Sequence, residues 1–80
     1  MTENEIFEKL QNIFRSVMKN SALQITFETT PNDLAEWDSL AHAQLITEIE
    51  SAFNVKFSLI EMLDLDNVSS IVKLLKQKIQ

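Results

Sequence analysis

One short run in this 80-residue chain brings together residue types suited to covalent chemistry: Trp37-Asp38-Ser39-Leu40-Ala41-His42. It holds a hydroxyl, a carboxylate and the chain's single imidazole. One chemistry open to that set is nucleophilic, with a serine activated by a histidine that an aspartate orients. Geometry speaks against it. Side chains drawn from so short a run do not line up as hydroxyl, imidazole and carboxylate, and no glycine-bearing oxyanion loop accompanies them. The second chemistry is attachment. A helical pattern begins directly after Asp38, and the first turn of a helix presents unpaired N–H groups and a partial positive charge. A phosphate ester on Ser39 would sit where the backbone already favours an anion. The plainest role for Asp38 or Ser39 is that of an N-cap.

Composition removes most other chemistries. Cysteine is absent, which excludes disulfides, thiolate metal sites and a cysteine nucleophile. One histidine excludes a multi-histidine metal centre. Glycine is absent too, so a P-loop, a dinucleotide-binding turn and a nucleophile elbow have no residue for their tight backbone. Backbone positions with φ > 0 then fall to asparagine or aspartate, and Asn20 and Asn54 stand just after helical patterns. Asp64-Leu65-Asp66-Asn67 begins like a calcium loop but has Ser69 at the sixth position and Leu75 at the twelfth. No metal site is expected.

The elements that must position the serine are all helical. Thr2 and Glu5 form a capping box, and Ile6, Leu10, Ile13, Phe14 and Val17 follow as one stripe, so the spacing predicts a helix over residues 3–18, stopped by Asn20. Residues 20–37 read as a long loop with Ile25, Phe27, Leu34 and Trp37 as apolar anchors. A strand at 26–29 would have no partner. Leu45, Ile46, Ile49 and Phe53, with His42 at the margin, predict a second helix over 39–53 that ends at Asn54. Ser58 and Glu61 open a short helix over 59–63, with Leu59, Met62 and Leu63 as its apolar face. Asp66 or Asn67 caps a last helix striped by Val68, Ile71, Val72, Leu75 and Ile79. The expected fold is all-α: one domain over 1–80, a small four-helix bundle with three long helices and one short one.

Charge is unevenly placed. Residues 20–66 hold nine acids against one base, a net of −8, while the whole chain carries −5. Such a middle section steers association with a cationic partner surface and disfavours nucleic acid. No apolar run is long enough to span a membrane, and no basic-then-apolar stretch marks a secretory signal, so a cytoplasmic monomer is expected.

The run E-W-D-S-L-A-H-A-Q-L-I-T-E-I-E-S-A-F-N-V-K-F-S resembles the acyl carrier protein family, which includes the peptidyl carrier domains. Asp-Ser-Leu is short, but its setting is specific: a long loop before it, an amphipathic helix after it, then a short capped helix and a final helix with V-x-x-I-V. The resemblance implies that Ser39 receives a 4′-phosphopantetheine arm from a separate phosphopantetheinyl transferase using coenzyme A and Mg²⁺. It implies that the arm's thiol carries an acyl or aminoacyl group, which a protein without cysteine cannot do with its own side chains. Asp38 matches the aspartate that assists the transferase, and Leu40 matches an apolar partner contact. The second helix matches the docking helix for basic patches on loading and biosynthetic enzymes. Glu48 and Glu50 are then candidate contacts, and Glu36, Glu61 and Asp64 flanking negatives.

Trp37, Gln44, Thr47 and Asn54 depart from the fatty-acid pattern, which suits a specialised stand-alone carrier. His42 belongs either to the margin of the buried stripe or beside the root of the arm, bonding its amides. Trp37 either pins the loop or forms a platform for the arm. Leu45, Ile46, Ile49, Met62 and Ile71 are candidates to line a cleft for a buried acyl chain. A rival reading keeps the fold and charge without modification: an acidic helical adaptor or inhibitor docking on a basic enzyme surface.

Overall fold

Four helices form in chain order: α1 (Glu3–Val17), α2 (Ser39–Phe53), α3 (Leu59–Asp64) and α4 (Val68–Lys78). The structure is a computed structural model and describes residues 1–79, among which there is no strand. The all-α bundle expected from periodicity is the fold found, and three helix starts follow local chemistry closely. Thr2 with Glu5, Ser58 with Glu61 and Asn67 with Ser70 each close a reciprocal capping box. Asp38 alone caps α2, its Oδ1 accepting from the Ala41 N–H at 2.8 Å.

Asn54 is the left-handed stop of α2 (φ 55°), as its position foretold. The stop of α1 differs. Lys19, not Asn20, takes the left-handed conformation (φ 56°). The Lys19 N–H donates to the Ser16 carbonyl and the Asn20 N–H to the Arg15 carbonyl, a Schellman pair that fixes the turn one residue earlier. Asn20 instead accepts from the Ala22 N–H through its side chain, an Asx turn that starts the loop.

The stripes meet in one core. Ile6, Leu10 and Phe14 of α1, Leu45 and Ile49 of α2, and Val68, Ile71 and Leu75 of α4 have no exposed surface. Each such side chain contributes roughly 1.5–3 kcal/mol by leaving water. α1 packs against both α2 and α4. α3 has no buried residue. Its expected apolar face is overturned: Met62 turns inward, but Leu59 and Leu63 stand about two-thirds exposed beside an equally exposed Ile60. Six residues make fewer than two turns, too short for an apolar stripe to set the orientation. The capping box, the packing of Leu65 and the Glu61–Lys78 ion pair at 3.0 Å hold α3 instead.

The loop between α1 and α2 is pinned at both ends of its path. The Arg15 Nε–H donates to the Leu23 carbonyl at 2.6 Å, and the Ile25 N–H donates to Gln11 Oε1 at 2.9 Å. Residues 26–29 form a turn and not a strand, closed by Thr26 and a buried Thr29. Beyond it, the carbonyls of Phe27 and Thr29 accept the N–H groups of Ser69 and Val68 at the start of α4. Ile25 and Trp37 are buried anchors as expected, and Leu34 packs at the margin. Phe27 is not one: it lies at the surface with its ring 4.9 Å from that of Phe7.

Two measurements test these caps. Glu5 is held below the ordinary glutamate value of 4.5, first by the Thr2 backbone N–H, then by the Thr2 hydroxyl. Glu61 is held below it first by the Ser58 backbone N–H and then by Lys78. Both carboxylates stay charged in the fold at a pH where the unfolded chain has taken up protons. Their contribution is therefore complete above about pH 4.5 and is lost as pH falls through the lowered values. Acid titration of urea stability should show that loss, and Glu5→Gln with Glu61→Gln, which removes both titrating groups, should flatten it. Separately, Asp38→Ala should lower stability by about 1 kcal/mol, while Asp38→Asn should cost only a few tenths; equal losses would show that Asp38 does not cap α2.

Candidate functional site

Ser39 is the first residue of α2 and is exposed. Its own N–H and that of Leu40 belong to the first turn and have no acceptor within the helix. The Asp38 carboxylate turns back to the Ala41 N–H. The hydroxyl thus belongs to an exposed residue at the positive end of a helix. Leu40 beside it is 71% exposed, a large apolar side chain in water.

Trp37 takes the opposite course. Its indole is 3% exposed and lies edge-on to Phe14, with ring centroids 5.0 Å apart and planes at 86°. The buried indole N–H needs an acceptor, and His42 Nδ1 accepts it at 3.0 Å. The two rings lie nearly parallel, with planes 23° apart and centroids 6.0 Å apart. An indole can only donate, which assigns Nδ1 as acceptor and places the imidazole proton on Nε2. That proton is directed at the Met62 carbonyl, 3.0 Å away. Met62 lies in the last turn of α3, where its carbonyl otherwise accepts only the capping Leu65 N–H at 3.4 Å. A single chain of hydrogen bonds therefore ties the end of the long loop to α2 and α2 to α3.

A cleft of about 530 Å³ opens beside Ser39, with Pro31, Trp37, His42, Met62, Leu63 and Leu65 among its lining residues. Asp38, Ala43 and Asp66 complete its rim. Trp37 thus both pins the loop and forms part of the cleft wall. Of the five side chains expected to line a cleft, only Met62 does so; Leu45, Ile46, Ile49 and Ile71 are in the core behind it. Both ring nitrogens of His42 are engaged, so neither is free to take a proton from Ser39 or to bond the amides of an arm without releasing Trp37 or Met62.

The acids divide into two groups. Glu36, Glu48 and Asp64 are exposed. Glu50 is half-buried, and its Oε2 accepts the Phe57 N–H at 2.8 Å, fixing the α2–α3 connection. Glu61 is engaged by Ser58 and Lys78. That ion pair is the one found among the described residues. The same residues hold no group of three or more potential metal ligands, and none of their helices is long and apolar enough to cross a membrane. The exposed apolar run Leu59-Ile60 and Leu63 escaped sequence reasoning, although four apolar residues among the six of α3 cannot all turn inward.

Comparison with known proteins agrees with this geometry. The family model described as "Phosphopantetheine attachment site" matches residues 8–75. An acyl carrier protein of Streptococcus pyogenes is 36% identical over 73 residues, covering 91% of this chain and 95% of its own. One from Guillardia theta is 34% identical over 80 residues, covering 99% and 98%. The solution structure of the holo acyl carrier protein of Geobacter metallireducens superposes with a TM-score of 0.83 at 38% identity, covering 90% of this chain and 83% of that one. An exposed serine opening α2, an adjoining cleft and an acidic helical body fit a phosphodiester-linked arm, and the chain belongs to the acyl carrier protein family, whose prosthetic group is 4′-phosphopantetheine.

Proposed function

We propose that this chain is a non-catalytic carrier that holds acyl or aminoacyl groups on a 4′-phosphopantetheine arm at Ser39 and presents them to biosynthetic enzymes. The observation that carries the reading is the exposure of Ser39 at the first position of α2, within the matched family region and beside an apolar cleft. A separate phosphopantetheinyl transferase attaches the arm. The Ser39 oxygen forms a bond to the phosphorus bearing pantetheine, the pyrophosphate link of coenzyme A breaks, adenosine 3′,5′-bisphosphate leaves, and the serine proton passes to a base of the transferase. The bound arm supplies a thiol able to carry a thioester. The chain's own residues place that attachment: Asp38 sets the start of α2, and the unpaired N–H groups of its first turn would favour the phosphodiester's charge.

Partner recognition falls to what the fold leaves free. Glu36, Glu48 and Asp64 present negative charge to basic patches, and Leu40, Ile60 and Leu63 offer apolar contacts in the same part of the molecule. Glu50 and Glu61 are held by internal hydrogen bonds and contribute less to such a surface.

Incubation with coenzyme A, Mg²⁺ and a broad-specificity transferase should add the mass of one phosphopantetheine, and Ser39→Ala should abolish the gain. An unchanged mass with a competent transferase would favour the unmodified adaptor. Glu48→Lys should slow loading by the cognate partner about tenfold with stability unchanged within ~0.5 kcal/mol. Glu50→Lys should instead lower stability by about 1–3 kcal/mol, because the Phe57 N–H loses its acceptor. Urea unfolding of both variants separates the two roles.

A further inference from the structure

An acyl chain that starts at Ser39 and enters the bundle between α2 and α3 must pass His42. The imidazole bridges that gap, bonded to Trp37 on one side and to the Met62 carbonyl on the other. Displacing it removes the acceptor of the indole N–H and leaves the Met62 carbonyl with the longer Leu65 N–H contact alone, 3.4 Å. The indole is 3% exposed and packed against Phe14, so its N–H loses its acceptor in a largely apolar setting. Behind the ring, Leu45, Ile49 and Ile71 are fully buried and none of them reaches the cleft wall. The cleft therefore ends at Trp37, His42 and Met62 and does not continue into the core.

We infer that the Trp37–His42–Met62 hydrogen-bond chain is a clasp that keeps the cargo out of the bundle. Resting on the carrier reading above, it makes the protein selective for acyl groups that need no apolar shelter, short or polar ones, and leaves the thioester accessible to partner enzymes at all times. His42 thus closes the gap between α2 and α3, and Trp37 fixes His42.

The test loads the full chain with octanoyl-phosphopantetheine from octanoyl-coenzyme A and a transferase, with mass confirming the product. Failure to gain that mass would sink the carrier reading and not the clasp. On the loaded protein, isotope-filtered nuclear Overhauser spectra should show the octanoyl methylenes near Met62 and Leu63 or in solvent, with no contact to methyl groups of Leu45, Ile49 or Ile71. Its thermal midpoint should match that of the unacylated holo-protein within a degree. In His42→Ala the same chain should contact those core methyls, and the acylated form should melt several degrees above its own holo form. Trp37→Phe, which keeps an aromatic ring against Phe14, should behave in the same way and serves if His42→Ala does not fold. Core contacts in the unaltered protein would overturn the clasp. So would folded variants whose octanoyl group still stays outside.

Discussion

A buried indole N–H must find an acceptor, and here one imidazole nitrogen is the acceptor it finds. That constraint orders the functional end of the molecule. Trp37 is committed to the core by its packing on Phe14, so its N–H cannot turn to water. Accepting it fixes the tautomer of His42, and the fixed tautomer delivers a proton to the end of α3. A helix with no buried residue thereby acquires a defined position relative to α2. Ser39, between the two partners in sequence, is left at the surface with a walled cleft beside it.

The same region shows how a small protein divides charge between fold and function. Glu50 and Glu61 satisfy backbone N–H groups around α3, which stabilises a connection short of apolar contacts. Glu36, Glu48 and Asp64 have no such task and give the surface its negative field. Apolar residues divide likewise. Met62 and Leu65 hold α3 down, while Leu59, Ile60 and Leu63 remain in water.

Much of this could be read from residues in order. Capping boxes are local, and Thr2–Glu5 and Ser58–Glu61 announce their helices within four residues. The stripes of α1, α2 and α4 repeat often enough for periodicity to fix both helix and buried face. Ser39, the proposed attachment residue, stands out by its place at a helix start and by a family pattern. What escaped depends on where a helix closes or on partners distant in sequence. Lys19 takes the left-handed position because the Schellman hydrogen bonds of α1 close there, a matter of helix length and not of residue type. The orientation of α3 depends on His42, 20 residues away from Met62. Glu50 looked like any exposed helix acid until the chain folded Phe57 back onto it.

The long loop holds a further consequence. Its carbonyls at Phe27 and Thr29 take up the leading amides of α4, so a segment without regular structure completes a helix nearly forty residues downstream. Loop and helix then share one cooperative unit. A protease cut near Phe27 would do more than open a surface strap, since the start of α4 would fray with it and loosen Val68 and Ile71 beneath. The segment that reads as the most dispensable stretch of the chain is a joint between its two halves.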